Sequence, residues 1–261
     1  MAYIVSVVNQ KGGVGKTTTS MNLAAYLAEQ GKFVLLVDID PQANATSGLG
    51  VDYRHLPASV YEGIVGTHRM KDIVLNTAHD GFRLAPSSIN LAGAPVELVS
   101  VPEREWRLHQ ALLEVRNDYD YIIIDNPPSL GLLTVNGLVA SDAVLIPVQA
   151  EYYALEGLGQ LLHTVDLVRE NIKPNLEVMG AVITMYDSRT TLSRDVLEEL
   201  YKHFPNNIFR SVIPRTVRLA EAPSVGKTIL GYDPTSKGAK AYERLAKEFL
   251  LREFQHQPLT V

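Results

Sequence analysis

Cysteine is absent from this chain of 261 residues. Its absence removes disulfide scaffolds, thiolate metal sites, iron–sulfur clusters and cysteine nucleophiles together, and it fits a reducing compartment. The seven histidines never form an HExxH pair, so the commonest zinc-hydrolase pattern is missing too. No basic stretch precedes the apolar run Tyr3 to Val8, and a secretory leader is therefore not expected. The most membrane-like window, Leu130 to Ala150, is broken by Asn136, Asp142 and Pro147 before about 18 clean apolar residues accumulate. Basic charge is in deficit as well: 24 Lys+Arg against 29 Asp+Glu leave a net charge of −5. That argues against coating the whole molecule with nucleic acid while leaving room for a local basic face. Repeats, low-complexity tracts and long linkers are also lacking. The expectation is a cytoplasmic protein with one domain over residues 1–254 and a loose tail over 255–261.

What is present is a regular alternation. Tyr3 to Val8, Phe33 to Val37, Tyr121 to Ile124, Ala143 to Val148 and Val178 to Thr184 are short, nearly continuous β-branched runs, as in strands covered on both faces. Helical patterns lie between and after them, at Thr18 to Gln30, Glu103 to Val115, Leu155 to Glu170, Leu192 to His203 and Gly238 to Phe254. Stacked βαβ units of this kind predict an α/β fold: a single, doubly wound, mostly parallel sheet with helices on both faces. Val51 to Ala94 is the stretch that yields least to this reading.

Between the first strand and the first helix stands Lys11-Gly12-Gly13-Val14-Gly15-Lys16-Thr17-Thr18. Backbone N–H groups at a helix N-terminus can surround phosphate oxygens only where side chains stay clear, which accounts for Gly12, Gly13 and Gly15. Lys16 is then placed to bridge the outer phosphates, and the Thr17 hydroxyl to meet the Mg²⁺ that accompanies a triphosphate. Val14 and Thr18 complete the loop. The usual GxxxxGK[ST] pattern has glycine where this chain has Gln10, and the extra Lys11 follows it.

Two later runs end in acids, Val37-Asp38-Ile39-Asp40-Pro41 and Ile124-Asp125-Asn126-Pro127-Pro128. Carboxylates at the C-terminal ends of parallel strands face the crevice in which open α/β sheets bind ligands. Asp125 is assigned to hold Mg²⁺ through water and Asp40 to hold the attacking water, with Asp38 one layer further from the metal. A guanine-reading Asn/Thr-Lys-x-Asp loop is not found: the corresponding place reads Thr184-Met185-Tyr186-Asp187, without the lysine. ATP is therefore the expected nucleotide, with Pro214, Arg215 and Thr216 as the candidate loop over its base.

The KGGVGKTT string resembles the deviant Walker A loop of the ParA/MinD group of dimeric P-loop ATPases. Further strings at Val37 to Gly50, Asp125 to Gly131, Ile146 to Leu158, Thr184 to Ser193 and Val212 to Ile229 resemble ParA/Soj partitioning ATPases, so the likeness runs from Tyr3 to about Phe249. The resemblance implies a weak ATPase that forms a homodimer with ATP and Mg²⁺ and binds double-stranded DNA without sequence preference. It also implies release after hydrolysis stimulated by a ParB/Spo0J-type partner, and a place on the nucleoid. Lys11 would reach the nucleotide held by the other subunit, and Arg189 and Arg218 match positions assigned to DNA contact. Local charge agrees: Asp187 to Lys240 holds nine basic and six acidic residues, +3 in a chain of −5. Asn126 departs from the family, whose members usually carry a small residue or cysteine there. Without an N-terminal winged-helix extension, the chain resembles the small, chromosomal type.

Two alternatives share the ATP chemistry. A MinD-like regulator of division-site placement would anchor through an amphipathic C-terminal helix. Here Leu245, Phe249, Leu250 and Phe254 form an apolar stripe, but the polar face mixes Glu248 and Glu253 with Lys247 and Arg252, and no stable membrane association is expected. An amide-forming P-loop synthetase would need a small-substrate pocket, and no motif outside the ATP site suggests one.

Overall fold

The computed structural model describes residues 1–151, 154–204 and 207–256. Eight strands form one sheet in the order β3-β4-β2-β5-β1-β6-β7-β8: β1 (Tyr3–Val7), β2 (Val34–Asp38), β3 (Leu75–Asn76), β4 (Phe82–Ala85), β5 (Tyr121–Asp125), β6 (Ala143–Gln149), β7 (Glu177–Tyr186) and β8 (Ile208–Pro214). All neighbours pair in parallel except β3 with β4. β2 and β5 are buried along their whole length and β1 from Ile4 onward, because helices cover both faces. The five runs read from the sequence are five of these strands.

The other three were hidden for physical reasons. β3 and β4 are short, and lie in the stretch from Val51 to Ala94. β8 is an edge strand whose burial is interrupted at Arg210, and the N–H groups of Arg210 and Ser211 are taken up by Glu248 of the helix Lys237–His256 (2.7 and 2.8 Å). The same helix buries Leu245 and Phe249 completely against the sheet. It continues through Gln255 and His256, and residues 257–261 of the expected tail lie outside the described residues.

The membrane-like window resolves into the helix Leu132–Ala140 followed by β6. Pro147 sits inside β6, yet β1 pairs with β6 only as far as Leu145, and the Pro147 carbonyl accepts from Asn9 Nδ2 beyond that point (2.8 Å). The proline's missing N–H therefore falls where the neighbouring strand has already ended. Among the described residues, no helix is long and apolar enough to cross a membrane.

Candidate active site

Where β1 ends, the chain turns through Gly13 (φ +76°) and Gly15 (φ +86°), a left-handed backbone that strains any residue with a side chain. Gly15 is the N-cap of the helix Lys16–Glu29, which has neither a side-chain cap nor an acidic residue in its first turn. Elsewhere Ser59, Thr190, Thr216 and Thr228 cap helices with their hydroxyls. An uncapped N-terminus keeps its first N–H groups available to an anion. A cavity of about 510 Å³ lies there, lined by Gly12, Gly13, Gly15, Lys16, Thr17 and Thr18 together with Asp40. Val14 is buried beneath the loop, and its carbonyl accepts from Thr184 Oγ1 (2.7 Å).

Lys16 is only 6% exposed and donates to the Lys11 carbonyl at 3.1 Å. Burial lowers its pKa, while Asp125 and Asp40 act in the opposite sense and favour its charge. Asp125 is fully buried: Oδ2 accepts from Thr17 Oγ1 at 2.8 Å and Oδ1 from Ser20 Oγ at 2.7 Å. Its register partner on β2 is Asp38, also fully buried. Burial raises the proton affinity of both carboxyls, and hydrogen bonds from the flanking hydroxyls oppose the rise. A hydroxyl and buried carboxylates, all oxygen donors and few in number, suit Mg²⁺, which takes its other ligands from phosphate and water.

Asp38 binds groups of the following loop: Oδ1 accepts from Asp40 N (3.1 Å), and Oδ2 from Thr46 N and Oγ1 (2.9 and 2.7 Å). Ser87 closes the circuit, with its N–H on Thr46 Oγ1 and its hydroxyl on the Asp40 carbonyl. Asp40 Oδ1 accepts from Gln42 N at 2.9 Å. Asp38 thus fixes the backbone that presents Asp40.

Lys11 is half-exposed and its ammonium pairs with Glu151 Oε2 at 2.9 Å, just beyond β6. Gln10, which replaces the usual glycine, reaches Gln160 Oε1 at 2.6 Å on the helix Ala154–Asn171. Asn126 is completely buried: its side-chain amide donates to the Val7 and Ile124 carbonyls and to Ser6 Oγ, while Oδ1 has no partner. Space for it comes from Gly137, where a Cβ would stand 2.2 Å from that oxygen.

Pro214, Arg215 and Thr216 line a second cavity of about 260 Å³ that shares Gly15 and Thr18 with the first. Met185, left-handed at φ +50°, lines both cavities. The two arginines stand outside. Arg189 holds Asp187 through Nε and a terminal nitrogen (2.9 and 2.7 Å), bringing that carboxyl down to about 2. Arg218 holds Glu221 at 3.0 Å and approaches Asp233 at 3.5 Å. Sequence reasoning missed Ser20, Thr46, Ser87, Met185 and Glu151. Only Ser20 carried a signal, since three residues after Thr17 it falls on the same helix face.

A family model described as an AAA domain matches residues 2–178. The chain is 55% identical over 248 residues to the sporulation initiation inhibitor protein Soj of Bacillus subtilis, covering 95% of this chain and 98% of that one. It is 48% identical to the chromosome partitioning protein ParA of Myxococcus xanthus, covering 98% and 90%. Among solved structures, one described as cobyrinic acid a,c-diamide synthase from Mycobacterium smegmatis, with bound ATP analogue and magnesium, superposes with a TM-score of 0.86. That chain is 41% identical, with coverage of 98% and 97%.

Proposed function

The chain belongs to the Soj/ParA family of chromosome-partitioning ATPases, and from that premise we propose that it is an ATP-switched DNA-partitioning protein whose two copies complete each other's nucleotide sites. The observation that carries this reading is Lys11 beside a phosphate loop whose cavity also receives Asp40 and adjoins Asp125. When bound, Mg²⁺ neutralises and orders the phosphate charge. The chain's own groups do the rest. First-turn N–H groups and Lys16 hold the triphosphate, Asp125 orients Thr17, and Asp40 aligns the attacking water. Lys11, released from Glu151, stabilises charge on the phosphate of the second copy. Chemistry of this kind resets a binding state: ATP unites two copies, the pair grips DNA through Arg189 and Arg218, and hydrolysis stimulated by a ParB/Spo0J-type partner parts them. The place of action is the cytoplasm, on the nucleoid.

A membrane-anchored reading is disfavoured, since Leu245 and Phe249 are spent in the core. An amide-forming synthase, as the M. smegmatis structure is described, is disfavoured by the higher identity to Soj and ParA proteins. Gel mobility on arbitrary duplex DNA tests the proposal. Retention with ATP and Mg²⁺, but not with ADP or without nucleotide, is expected. Equal retention in all three conditions would contradict it.

A further inference from the structure

We infer that Ser20 is a positioning residue for magnesium-dependent nucleotide binding, acting through Asp125; the inference rests on the role proposed above for Asp125. Ser20 is completely buried, one turn beyond Thr17 on the helix that starts at the phosphate loop. Thr17 and Ser20 take the two carboxylate oxygens separately, Oδ2 at 2.8 Å and Oδ1 at 2.7 Å, so a single helix fixes the rotation of the Asp125 carboxylate at both ends.

Ser20 has one hydroxyl proton and two acceptors within reach, Asp125 Oδ1 at 2.7 Å and the Lys16 carbonyl at 3.1 Å. The shorter, charged contact claims the proton. The carbonyl is the fallback that a helical serine always has, four residues back. The preference therefore depends on Asp125 being present as a carboxylate. Without the Ser20 hydroxyl, Oδ1 would be a buried anionic oxygen without that donor. The carboxylate would then turn toward other donors, and Thr17 alone would no longer define which oxygen faces the metal side. Asp125 is itself anchored: Asn126, the next residue, donates to the Val7 carbonyl from its side-chain amide, tying the end of β5 to the strand that launches the phosphate loop. With the strand fixed, carboxylate rotation is the freedom that remains, and Ser20 removes it.

The test measures binding of a fluorescent ATP analogue to the full chain as free Mg²⁺ is varied, for Ser20→Ala, Ser20→Thr and Asp125→Asn, with thermal melting of each. Ser20→Ala is expected to raise the Mg²⁺ concentration at half-saturation about tenfold, the worth of one hydrogen bond to a buried charge, and to leave Mg²⁺-free ADP binding within about twofold. Ser20→Thr, which keeps the hydroxyl, should return to within about threefold of the native value. Ser20→Cys, a weak donor of similar size, repeats the comparison so that it does not hang on one variant's folding. An unchanged Mg²⁺ requirement in Ser20→Ala, beside a shifted one in Asp125→Asn, overturns the inference alone. An unchanged requirement in both overturns it together with the role of Asp125. Equal loss of binding with and without Mg²⁺ also overturns it, because it would mark Ser20 as a support of the helix only.

Discussion

The phosphate loop and the arginine face hold their charges in opposite ways. Around the loop, Asp38, Asp125 and Lys16 are buried and tied to backbone groups or to hydroxyls that are themselves fixed. On the face, the Arg189 side chain is 87% exposed and pairs with Asp187, and Arg218 is 56% exposed and pairs with Glu221 and more loosely with Asp233. Low dielectric makes every buried group consequential, because removing one leaves its partner unsatisfied. Solvent screens the exposed pairs, and each is worth little by itself. One region therefore behaves as an all-or-none device and the other as a sum of small, salt-sensitive terms.

Variants of graded severity can break that comparison. Lys16→Ala removes a buried cation flanked by Asp125 and Asp40, and nucleotide affinity should fall by at least about a hundredfold in a fluorescence titration. A loss below tenfold would deny the all-or-none character of the loop. Arg189→Ala and Arg218→Ala should each weaken DNA binding by up to about tenfold. Each should also reduce the slope of log affinity against log salt by about one while leaving the ATP-bound pair intact. If either abolished binding outright, the face would not be additive. Smallest of all, Asp187→Asn frees Arg189 from its internal carboxylate and should raise DNA affinity by no more than about fivefold, the range of an exposed ion pair. A decrease would show that Asp187 orders the arginine for DNA.

The same contrast governs how far the sequence could be read. The strand-to-helix turn at Gly12 to Thr18 was legible because its glycines and the helix after it are contiguous in the chain, and the nearness of Asp40 and Asp125 to it because parallel strands deliver their last residues to one crevice. Pro214 to Thr216 line the second cavity, which shares Gly15 and Thr18 with the first. By contrast, the Thr46 and Ser87 links to Asp38 and Asp40 depend on how separate loops meet, and no spacing in the sequence encodes such a meeting. The Lys11 contact with Glu151 spans 140 residues for the same reason. Edge strand β8 and the short pair β3 and β4 were hidden because period and length, the only local signals, are weakest there. Asn126 was visible as a departure, but its meaning needed Gly137, eleven positions on, to open the space it fills.

Central to the account is that Lys11 serves the other copy's pocket while Asp40 serves its own. Mixing Lys11→Ala with Asp40→Ala before ATP is added tests this directly by steady-state ATP hydrolysis. Each variant alone should be inactive, Asp40→Ala while still pairing with ATP bound. In a mixed pair, the pocket of the Lys11→Ala copy has its own Asp40 and borrows an intact Lys11, so random pairing should restore about a quarter of native activity. If the lysine worked within its own chain, every pocket would lack one group or the other, and the mixture would stay as inactive as its parts.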